Sequence, residues 1–447
     1  MILKKFNLKI NNKILDYKKV IEVDPDKSIS IRSLLIGSIS QNISYINNVL
    51  ESEDVFSTIN CLKKLGVEVK KINRKSYLIK GKGIGSLFAK TGALLNFGNS
   101  GTLARLLIGI LSTTPNIKIK MHGDHSLNKR SMEKLIKLMT KFGALFLPKN
   151  KFNFPLKLVS SQFPIGINYK AGVSAQLKSA VILAGLNANG ITSIIEEKKS
   201  RDHTEKMLLQ NQQVIKIKNK KSLIQIDGKK KLNPLNIKVP NDPSSAAFFT
   251  ALTILKKNSS VIIKNVGLNQ TRIGFYKLLK NHGAKIKFMN IKKNNNEFTG
   301  DILVKSSKLK PIIASKDYYV NSTDEYPILF IIASQVKGVS IFKGIEDLAN
   351  KESNRITEMQ KILKQVGVKS KSTKNKIKIY GIEKINVSNK KIFVSNLGDH
   401  RICMSAFILG ILTGIKTKIN NFETVFTSSP SFLKIMKNLG AKFEIQK

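Results

Sequence analysis

The arginines are the side chains of this sequence best suited to bind anions. Of the 77 basic residues only eight are arginines, and the remaining 69 are lysines. A guanidinium grips a carboxylate or phosphate through two parallel hydrogen bonds, which a lysine point charge does not reproduce. All but Arg74 lie in segments rich in Ser, Thr, Asn, Asp or Gly: Arg32, Arg105, Arg130, Arg201, Arg272, Arg355 and Arg401. This placement predicts a site for small, multiply anionic molecules. The alternative is that codon bias favours lysine and that the eight arginines remain by chance.

Two polar segments near the start of the chain lead into apolar stretches with helical character. Residues 26–32 place Lys27, a hydroxyl group and Arg32 where a helix is predicted to begin. First-turn N–H groups add partial positive charge there, so the segment would cradle an oxyanion. Residues 98–102, Gly-Asn-Ser-Gly-Thr, would let the backbone approach a ligand before a helix whose Arg105 could equally brace the loop. Helix capping is the alternative function of both segments, by Ser28 or Ser30 and by Asn99, Ser100 or Thr102.

A third polar loop, residues 123–130, ends in Arg130 and runs into another predicted helix. His122 and His125 lie close together in this region. No cysteine or carboxylate stands at a suitable interval from them, so we predict no metal site.

Two further segments of the first half follow the same pattern. Residues 174–176, Ser-Ala-Gln, open an apolar helix. Residues 200–205 carry Arg201 just before a helix that Asp202 or Thr204 would cap. An arginine beside a helix N-terminus is well placed to bind a phosphate.

The second half of the chain supplies carboxylates beside cations. Asp324 ends a polar stretch before an apolar helix, and residues 351–355, Lys-Glu-Ser-Asn-Arg, place two cations one helical turn apart with Glu352 beside them. An exposed salt-bridged face is the alternative for this trio in a lysine-rich chain. Residues 398–401, Gly-Asp-His-Arg, precede another apolar helix. Each of these polar segments is therefore predicted to abut the N-terminus of an apolar helix.

A recurring pattern predicts the elements that position these segments. An amphipathic helix ends in Gly followed by Ala or Val, and a short alternating strand follows at once. The glycine stands where a helix C-terminus needs a left-handed residue before the chain turns into a strand. The pattern occurs at residues 65–67, 142–144, 282–284, 366–368 and 439–441.

One copy of this glycine is missing between Gly143 and Gly283, an interval of 140 residues. Residues 207–214 have the expected helix and strand, with Gln212 where the glycine would fall. If Gln212 or Asn211 takes the left-handed geometry there, it should cost about 1 kcal/mol relative to glycine. Six units of about 75 residues then account for the chain. Alternating helices and strands predict an α/β or α+β protein of two similar halves, with a binding cleft between them.

The bulk composition is that of a soluble globular protein. The chain has 447 residues, of which 42% are hydrophobic, and a formal charge of +48. Such a charge is typical of proteins that bind nucleic acid or anionic membranes. The lysines are spread along the chain, however, and clusters such as 216–221 and 229–231 lack interleaved aromatic residues. We therefore predict no specific nucleic-acid partner.

Two further features of the composition predict a cytoplasmic protein without a membrane partner. Cys61 and Cys403 lie far apart, so a disulfide framework is not indicated. No N-terminal apolar region follows Met1, and the longest apolar runs, such as 327–333, are too short to span a bilayer.

Taken together, these strings resemble the EPSP synthase family, the 3-phosphoshikimate 1-carboxyvinyltransferases. The resemblance extends from Lys27 to about Pro430 and keeps the order of the family's motifs. The strings that carry it are residues 98–102, 174–176, 200–205, 242 with 244–247, 265–269, 351–353 with 355, and 399–401.

The resemblance implies an α/β (α+β) fold of two similar domains, each of three βαβαββ units around a helical core. Two crossovers near Asp24 and Pro240 would hinge the domains. The N-terminal domain would comprise residues 25–240. The N-terminal strand would return to a discontinuous C-terminal domain of residues 1–24 and 241–447.

The resemblance also implies the reaction and its site. The enolpyruvyl group of phosphoenolpyruvate would be transferred to the 5-hydroxyl of shikimate 3-phosphate with release of phosphate, by addition and elimination, in the shikimate pathway of aromatic amino acid biosynthesis. No metal and no organic cofactor would be needed, and the protein would be a monomer. The residues implied to bind shikimate 3-phosphate are Lys27, Ser28, Arg32, Ser174, Ala175, Gln176, Arg201, Asp324 and Lys351. The residues implied to bind phosphoenolpyruvate are Lys27, Gly101, Arg130, Gln176, Arg355 and Arg401.

Three residues are implied to move protons. Asp324 would accept the hydroxyl proton, and Glu352 would deliver a proton to the vinyl carbon and remove it again on elimination. Lys27 is an alternative proton shuttle, and the assignment of the individual steps stays open. Thr427 stands where some members carry a lysine, so that contact to phosphoenolpyruvate would be absent or replaced.

Other functions fit parts of the sequence. A UDP-N-acetylglucosamine enolpyruvyl transferase would carry a reactive cysteine where this chain has His125, and it would lack the string 399–401. A basic RNA-binding protein built on related repeats would be retained on RNA in a salt-dependent way. An inactive homologue is a third alternative, although every implied catalytic group is present.

Overall fold

The structure is a computed structural model that describes residues 5–90, 92–218, 222–395 and 397–446. The ends of the predicted C-terminal domain, residues 1–4 and 447, and part of the lysine cluster 216–221 lie outside the described residues.

The chain packs into two compact units. The N-terminal unit comprises Pro25–Val239 together with Lys293–Glu297. The C-terminal unit comprises the described residues up to Asp24, then Pro240–Lys292, and then those from Phe298 onward. The predicted domain boundaries stay a prediction, because packing does not test whether either part folds alone.

Short strands alternate with helices along the described residues. The strands are β1 (Asn7–Ile10), β2 (Lys18–Ile21), β3 (Ile43–Asn47), β4 (Glu68–Asn73), β5 (Ser76–Lys80), β6 (Leu94–Asn96), β7 (Lys118–His122), β8 (Leu145–Leu147), β9 (Leu156–Val159), β10 (Asn168–Ala171), β11 (Ile191–Glu196), β12 (Ile215–Lys218), β13 (Leu223–Asp227), β14 (Asn236–Lys238), β15 (Ser260–Gly267), β16 (Lys285–Asn294), β17 (Glu297–Lys305), β18 (Ile313–Ala314), β19 (Gly338–Lys343), β20 (Lys369–Thr373), β21 (Lys376–Gly381), β22 (Lys391–Val394), β23 (Lys416–Ile419) and β24 (Glu444–Gln446).

The helices are α1 (Lys27–Ile39), α2 (Glu53–Lys64), α3 (Gly101–Thr113), α4 (His125–Lys129), α5 (Glu133–Lys141), α6 (Ala175–Gly185), α7 (His203–Leu208), α8 (Pro243–Leu255), α9 (Gly274–Asn281), α10 (Lys316–Ser322), α11 (Tyr326–Ser334), α12 (Arg355–Gln365), α13 (His400–Thr413) and α14 (Phe432–Asn438). Short 3-10 helices span Thr323–Glu325, Glu346–Asn350 and Phe422–Thr427.

The described strands form six four-stranded sheets. Their orders are β14-β3-β5-β4, β6-β7-β9-β8, β10-β11-β13-β12, β2-β15-β17-β16, β18-β19-β21-β20 and β22-β23-β1-β24. In each sheet the first two strands of this order are parallel and the middle pair is antiparallel. Each sheet therefore corresponds to one of the six predicted units, and the predicted fold class is confirmed.

Strands distant in sequence complete the first and last sheets. The N-terminal strand β1 lies between β23 and β24, with Leu8 opposite Ile419 and Ile445. Strand β14 pairs in parallel with β3, with Ile237 opposite Ile46. Both sheets thus have four strands, although β1 and β14 come from parts of the chain far from the other strands of their sheets.

Composition decides which helices lie inside. Every residue of α11 (Tyr-Pro-Ile-Leu-Phe-Ile-Ile-Ala-Ser) is buried, as is nearly all of α1, α3, α8 and α13. A helix that is apolar on all sides is stable only in a core. Helix α5, by contrast, buries Leu135, Ile136, Leu138 and Met139 on one face. The amphipathic helices are therefore the outer ones.

The glycine pattern has the predicted geometry where glycine is present. The five glycines at the helix ends have φ between +76° and +100°: Gly66, Gly143, Gly283, Gly367 and Gly440. At the missing copy neither Asn211 nor Gln212 has a positive φ, so the cost of a left-handed residue does not arise there. The Asn211 side chain instead accepts a hydrogen bond from the backbone N–H of Asn233, 2.9 Å away, which holds the turn without a left-handed residue.

None of the helices in the described parts of the chain combines the length and the hydropathy that a membrane span requires.

Candidate active site

The predicted site residues fall into one group in each unit, and each group is described by itself. In the N-terminal unit they lie at the N-termini of α1, α3 and α6 and just before α5 and α7. In the C-terminal unit they lie before α11 and at the starts of α12 and α13.

Helix α1 presents Lys27 and Ser28 in its first turn. Its N-cap is Asp26, whose carboxylate accepts a hydrogen bond of 2.8 Å from a backbone N–H, so the alternative of capping by Ser28 or Ser30 does not hold. The Lys27 Nζ lies 3.0 Å from the Oδ2 of Asp54, a buried carboxylate of α2. Asp54, which sequence reasoning did not identify, therefore orients the ammonium group.

Arg32 is buried one turn further along α1, with 3% of its surface exposed. Its guanidinium donates to the Thr204 Oγ1 at 3.0 Å, to the Ser28 carbonyl at 3.1 Å and to the Ser179 Oγ at 3.4 Å. These three oxygens fix the orientation of the guanidinium. Asp202 holds the predicted N-cap position of α7 but makes no capping bond there, and Thr204 serves Arg32 instead.

The glycine loop before α3 holds Arg130. The cap of α3 is Ser100, which accepts from a backbone N–H at 3.2 Å. This leaves Asn99 to bind Arg130, whose Nη2 donates to the Asn99 Oδ1 at 2.5 Å and to the Ser126 Oγ at 3.3 Å. Asn99 was considered only as a cap in the sequence, because the partner that it binds lies 31 residues away.

Gly101 lies beside two guanidinium groups. A Cβ atom built on Gly101 would lie 2.7 Å from the Nη1 of Arg105 and 3.2 Å from the Nη1 of Arg130. Arg105 donates to the Gly101 carbonyl at 3.2 Å and to the Gln176 Oε1 at 2.9 Å. Gln176 in turn donates to the Thr102 hydroxyl at 3.0 Å. Three of the residues predicted to bind phosphoenolpyruvate are thus brought together, and Arg105 braces the loop.

Helix α6 begins with the second predicted phosphate segment. Ser174 caps the helix, accepting from a backbone N–H at 3.4 Å, and Ala175 and Gln176 form its first turn. Arg201 lies in another segment, half-buried, directly after the buried Ser200.

Arg355 is the centre of the group in the C-terminal unit. It is 1% exposed and begins α12, so the alternative of an exposed face was wrong for this residue. Its Nε donates to the Asp399 Oδ2 at 2.9 Å, and its Nη2 donates to the Glu352 Oε2 at 2.7 Å. The Nη1 lies 3.7 Å from the Asp324 Oδ1. Burial alone would lower the pKa of Arg355, but Asp399, Glu352 and Asp324 outweigh it and raise the pKa, so the guanidinium stays charged.

Asp399 joins three parts of this site and is completely buried. It caps α13 by accepting from the Arg401 backbone N–H at 3.0 Å, and it accepts from the Ser353 hydroxyl at 2.9 Å as well as from Arg355. Sequence reasoning quoted this residue in a motif but assigned it no role. An Asp directly before an apolar helix is a cap signal, which could have predicted its contact to the helix.

Lys351 has its own carboxylate partner. Its Nζ lies 2.5 Å from the Oδ2 of Asp347, which also accepts from the Tyr319 hydroxyl at 3.0 Å. Burial and the charge of Asp347 raise the pKa of Tyr319, so this hydroxyl remains a donor. The alternative of an exposed salt-bridged face therefore fits Lys351 better than it fits the buried Arg355.

Arg401 is buried without a full set of partners. It is 4% exposed, and its guanidinium lies 5.9 Å from the centre of the Phe248 ring. Within the described residues its Nε and Nη1 have no hydrogen-bond partner. Buried donors without acceptors are costly, and an anionic ligand is the kind of group that would satisfy them. Thr427 stands at the position where some members of the resembled family carry a lysine. Its hydroxyl donates to the Thr424 carbonyl at 2.8 Å within the same 3-10 helix.

The helices behind the polar segments are not all apolar. Helix α12, which follows residues 351–355, buries Ile356, Met359, Ile362 and Leu363 but exposes its other face. The prediction that every polar segment abuts an apolar helix was therefore wrong for α12, as it was for the amphipathic α5 that follows residues 123–130. The guanidinium of Arg355 is buried because it begins the helix and meets Asp399, and this contact was not visible in the sequence.

The two groups offer different chemistry. In the N-terminal unit, Arg32 and Arg130 donate to hydroxyl, amide and carbonyl oxygens beside helix N-termini, an arrangement that suits phosphate and carboxylate ligands. In the C-terminal unit, Asp324 and Glu352 lie on two nitrogens of one guanidinium, an arrangement that suits proton transfer beside an anionic ligand.

Comparisons with known proteins agree over nearly the whole chain. The model of the family EPSP synthase (3-phosphoshikimate 1-carboxyvinyltransferase) matches residues 12–436. The 3-phosphoshikimate 1-carboxyvinyltransferase of Thermodesulfovibrio yellowstonii is 39% identical over 433 residues, 96% of this chain and 99% of the relative. That of Petrotoga mobilis is 39% identical over 422 residues, 94% of this chain and 96% of the relative. A solved structure of EPSP synthase from Acinetobacter baumannii has a TM-score of 0.85 at 34% identity and covers 99% of this chain and 100% of its own.

Proposed function

This chain belongs to the EPSP synthase family, and from that premise we propose that the two residue groups described above carry out its reaction. The protein transfers the enolpyruvyl group of phosphoenolpyruvate to shikimate 3-phosphate and releases phosphate. It is a transferase of the shikimate pathway, which leads to the aromatic amino acids.

One observation supports the site assignment above all. Asp324 and Glu352, the two acids assigned to proton transfer, both contact Arg355, which is assigned to phosphoenolpyruvate. A ligand anion on Arg355 would therefore lie beside both acids, within the reach that general acid–base catalysis needs.

We assign the proton transfers as follows. Asp324 accepts the proton of the 5-hydroxyl as that oxygen attacks the enolpyruvyl carbon. Glu352 protonates the methylene carbon and takes the proton back when phosphate leaves. A phosphoenolpyruvate anion on Arg355 would replace part of the ion pair between Arg355 and Glu352, which is 2.7 Å long without ligand. The weaker pair makes the Glu352 carboxylate easier to protonate. Lys27 remains an alternative proton shuttle.

The other assigned residues bind the two substrates. Those for shikimate 3-phosphate are Lys27, Ser28, Arg32, Ser174, Ala175, Gln176, Arg201, Asp324 and Lys351. Those for phosphoenolpyruvate are Lys27, Gly101, Arg130, Gln176, Arg355 and Arg401. The buried guanidinium of Arg32, oriented by the Thr204 hydroxyl and the Ser28 carbonyl, supports this assignment because a fixed guanidinium is suited to bind a phosphate.

The test is a coupled assay of phosphate release with both substrates, either one alone, and UDP-N-acetylglucosamine in place of shikimate 3-phosphate. We expect release only from the pair of proposed substrates. Glu352→Gln and Asp324→Ala should each lower kcat by about 10²- to 10⁴-fold, the usual contribution of a positioned acid or base.

Glu358→Gln is the matched control, because Glu358 lies on the same helix α12 and pairs with the exposed Lys361 at 2.7 Å. It should leave kcat unchanged. Activity with UDP-N-acetylglucosamine, or full activity of both acid variants, would contradict the proposal.

We also propose a cytoplasmic monomer that needs no cofactor, with domains at residues 25–240 and at 1–24 with 241–447. Light scattering tests whether the protein is a monomer, and assays in EDTA test whether it needs a metal. Limited proteolysis near Asp24 and Pro240 tests the domain boundaries.

A further inference from the structure

A charged cluster lies buried inside the N-terminal unit and has no part in the chemistry described above. Lys178, on α6, is 0% exposed. Its Nζ lies 2.8 Å from the Glu196 Oε1, at the end of β11, and 2.6 Å from the Glu205 Oε1, on α7. Both carboxylates are buried as well, with 7% and 2% of their side chains exposed.

Such a cluster contributes little to stability. Taking ions out of water is costly, and apolar residues of similar volume in place of a buried ion pair are often as stable or more so. The neighbours of Lys178 along α6 include Val181, Ile182 and Leu183, which are all buried, so a hydrophobic residue would fit the composition of this core. The charges therefore need an explanation other than stability.

The cluster fixes one residue, Ser200. The Glu196 Oε1 accepts from the Ser200 backbone N–H at 2.7 Å and from its hydroxyl at 2.5 Å. Lys178 donates to the Ser200 carbonyl at 3.5 Å. The amide, hydroxyl and carbonyl of Ser200 are thus all held by the cluster, and the next residue in the chain is Arg201.

The same cluster is tied to the start of α6. The Lys178 backbone N–H donates to the Ser174 carbonyl at 3.2 Å, so Lys178 lies one turn below the residue that opens the Ser174–Gln176 segment. The neighbouring pair makes a parallel link, because the Thr204 hydroxyl donates to the Ser179 hydroxyl at 2.9 Å. Two adjacent bridges therefore join α6 to α7.

We propose that Lys178 is a positioning residue for shikimate 3-phosphate, which holds the Ser200–Arg201 segment in register with the start of α6. The ligand phosphate is bound by groups from both segments, and Lys178 acts only through them. This inference rests on the proposed function, since it assumes that Arg201 and Ser174 bind that phosphate.

The test compares ligands with and without the phosphate. Isothermal titration with shikimate 3-phosphate and with shikimate is carried out on the full protein, on Lys178→Met, on Arg201→Ala and on the double variant. We expect Lys178→Met to weaken binding of shikimate 3-phosphate on the order of tenfold, as a displaced binding group does. Binding of shikimate should change less than twofold.

The double variant provides the decisive comparison. If Lys178 acts through Arg201, Lys178→Met adds little to the loss caused by Arg201→Ala, since coupled residues are not additive. Equal losses for both ligands, or additive losses in the double variant, would overturn the proposal. Lys170→Met is the matched control, because Lys170 forms an exposed ion pair with Glu197 and should leave both affinities unchanged.

The Lys178→Met substitution leaves two buried carboxylates without their cation. Circular dichroism shows whether this variant still folds. If it does not, Lys178→Met combined with Glu205→Gln takes its place, since this pair of changes keeps the formal charge of the cluster. Wild-type phosphate release separates the two proposals. An inactive wild type contradicts the proposed function, whereas an active wild type with additive losses contradicts only the role of Lys178.

Discussion

At the scale of single residues, the arginines of the C-terminal unit differ in how their charge is used. Arg355 is matched by carboxylates on three sides, which fix it and keep it ionised. Arg401 is just as buried, yet two of its nitrogens lack acceptors within the described residues. The burial of Arg401 is therefore unfavourable until an anion arrives, and we expect part of the ligand's binding energy to come from satisfying these donors.

Arg401→Lys tests this view of the unpaired guanidinium. A lysine keeps the charge but loses the planar fork, so we expect the KM for phosphoenolpyruvate to rise on the order of 10- to 100-fold. The KM for shikimate 3-phosphate should stay within about twofold. Arg74→Lys is the control, because Arg74 is exposed and lies outside both groups. An unchanged KM for phosphoenolpyruvate in Arg401→Lys would contradict the assignment of this residue.

At the scale of elements, motif residues divide into those that bind ligand and those that shape the backbone. The string 265–269 belongs to the second kind. The register of β15 against β17 shifts between Ile263 and Val266, and Asn265 has a φ of +55°, which marks a bulge. Asp301 on β17 accepts from the Asn265 backbone N–H at 3.0 Å and lies 2.5 Å from the Lys264 Nζ. The Asp301 carboxylate therefore helps to hold the bulge.

This carboxylate makes stability depend on pH. Burial acts to raise the pKa of Asp301, but the hydrogen bonds from Lys264, Asn290 and the Asn265 backbone outweigh it, so the pKa is lowered. A group that is more acidic when folded stabilises the protein above its unfolded pKa, about 3.9 for Asp, and loses that contribution as the pH falls through its folded value.

Urea unfolding between pH 6 and pH 3 measures the effect. We expect the free energy of unfolding to fall below about pH 4 in the wild type and to fall less steeply in Asp301→Asn, which keeps an acceptor but does not titrate. Parallel acid limbs in the two proteins would show that Asp301 does not contribute.

At the scale of the whole molecule, the charge of +48 acts as a field rather than as a site. Both substrates are anions, and a positive field raises the rate at which anions reach a binding site. The lysines that create this field are spread over the chain, so the sequence does not confine it to one patch.

Ionic strength separates capture of the substrates from the chemical steps. Because salt screens exposed charges over about 10 Å at 0.1 M, we expect kcat/KM to fall several-fold between about 50 and 300 mM KCl while kcat changes little. Sucrose at equal osmolality is the control. Because sucrose does not screen charges, it should not reproduce the fall in kcat/KM. A kcat that falls in parallel with kcat/KM would place the salt effect on the chemistry instead.

Features that depend only on neighbours along the chain were predictable from the sequence. The helix-ending glycines need only a left-handed φ, so their spacing predicted the repeat units and the fold class. Arginines at helix starts predicted anion sites, because helix N-termini carry positive charge wherever the helix packs. Local reasoning did not predict the turn at Asn211, which has no left-handed residue, the cap of α1, which is Asp26, or the start of α7, where Asp202 makes no capping bond.

Which distant side chains meet depends on how the whole chain packs. Asp399 reaches Arg355 across 44 residues, and Glu196 reaches Lys178 across 18. In the sequence each of these side chains has several possible partners of opposite charge, and no local rule distinguishes them. The choice is made when the core packs, because burial penalises every charge that is left without a partner and so selects the few pairings that the fold allows.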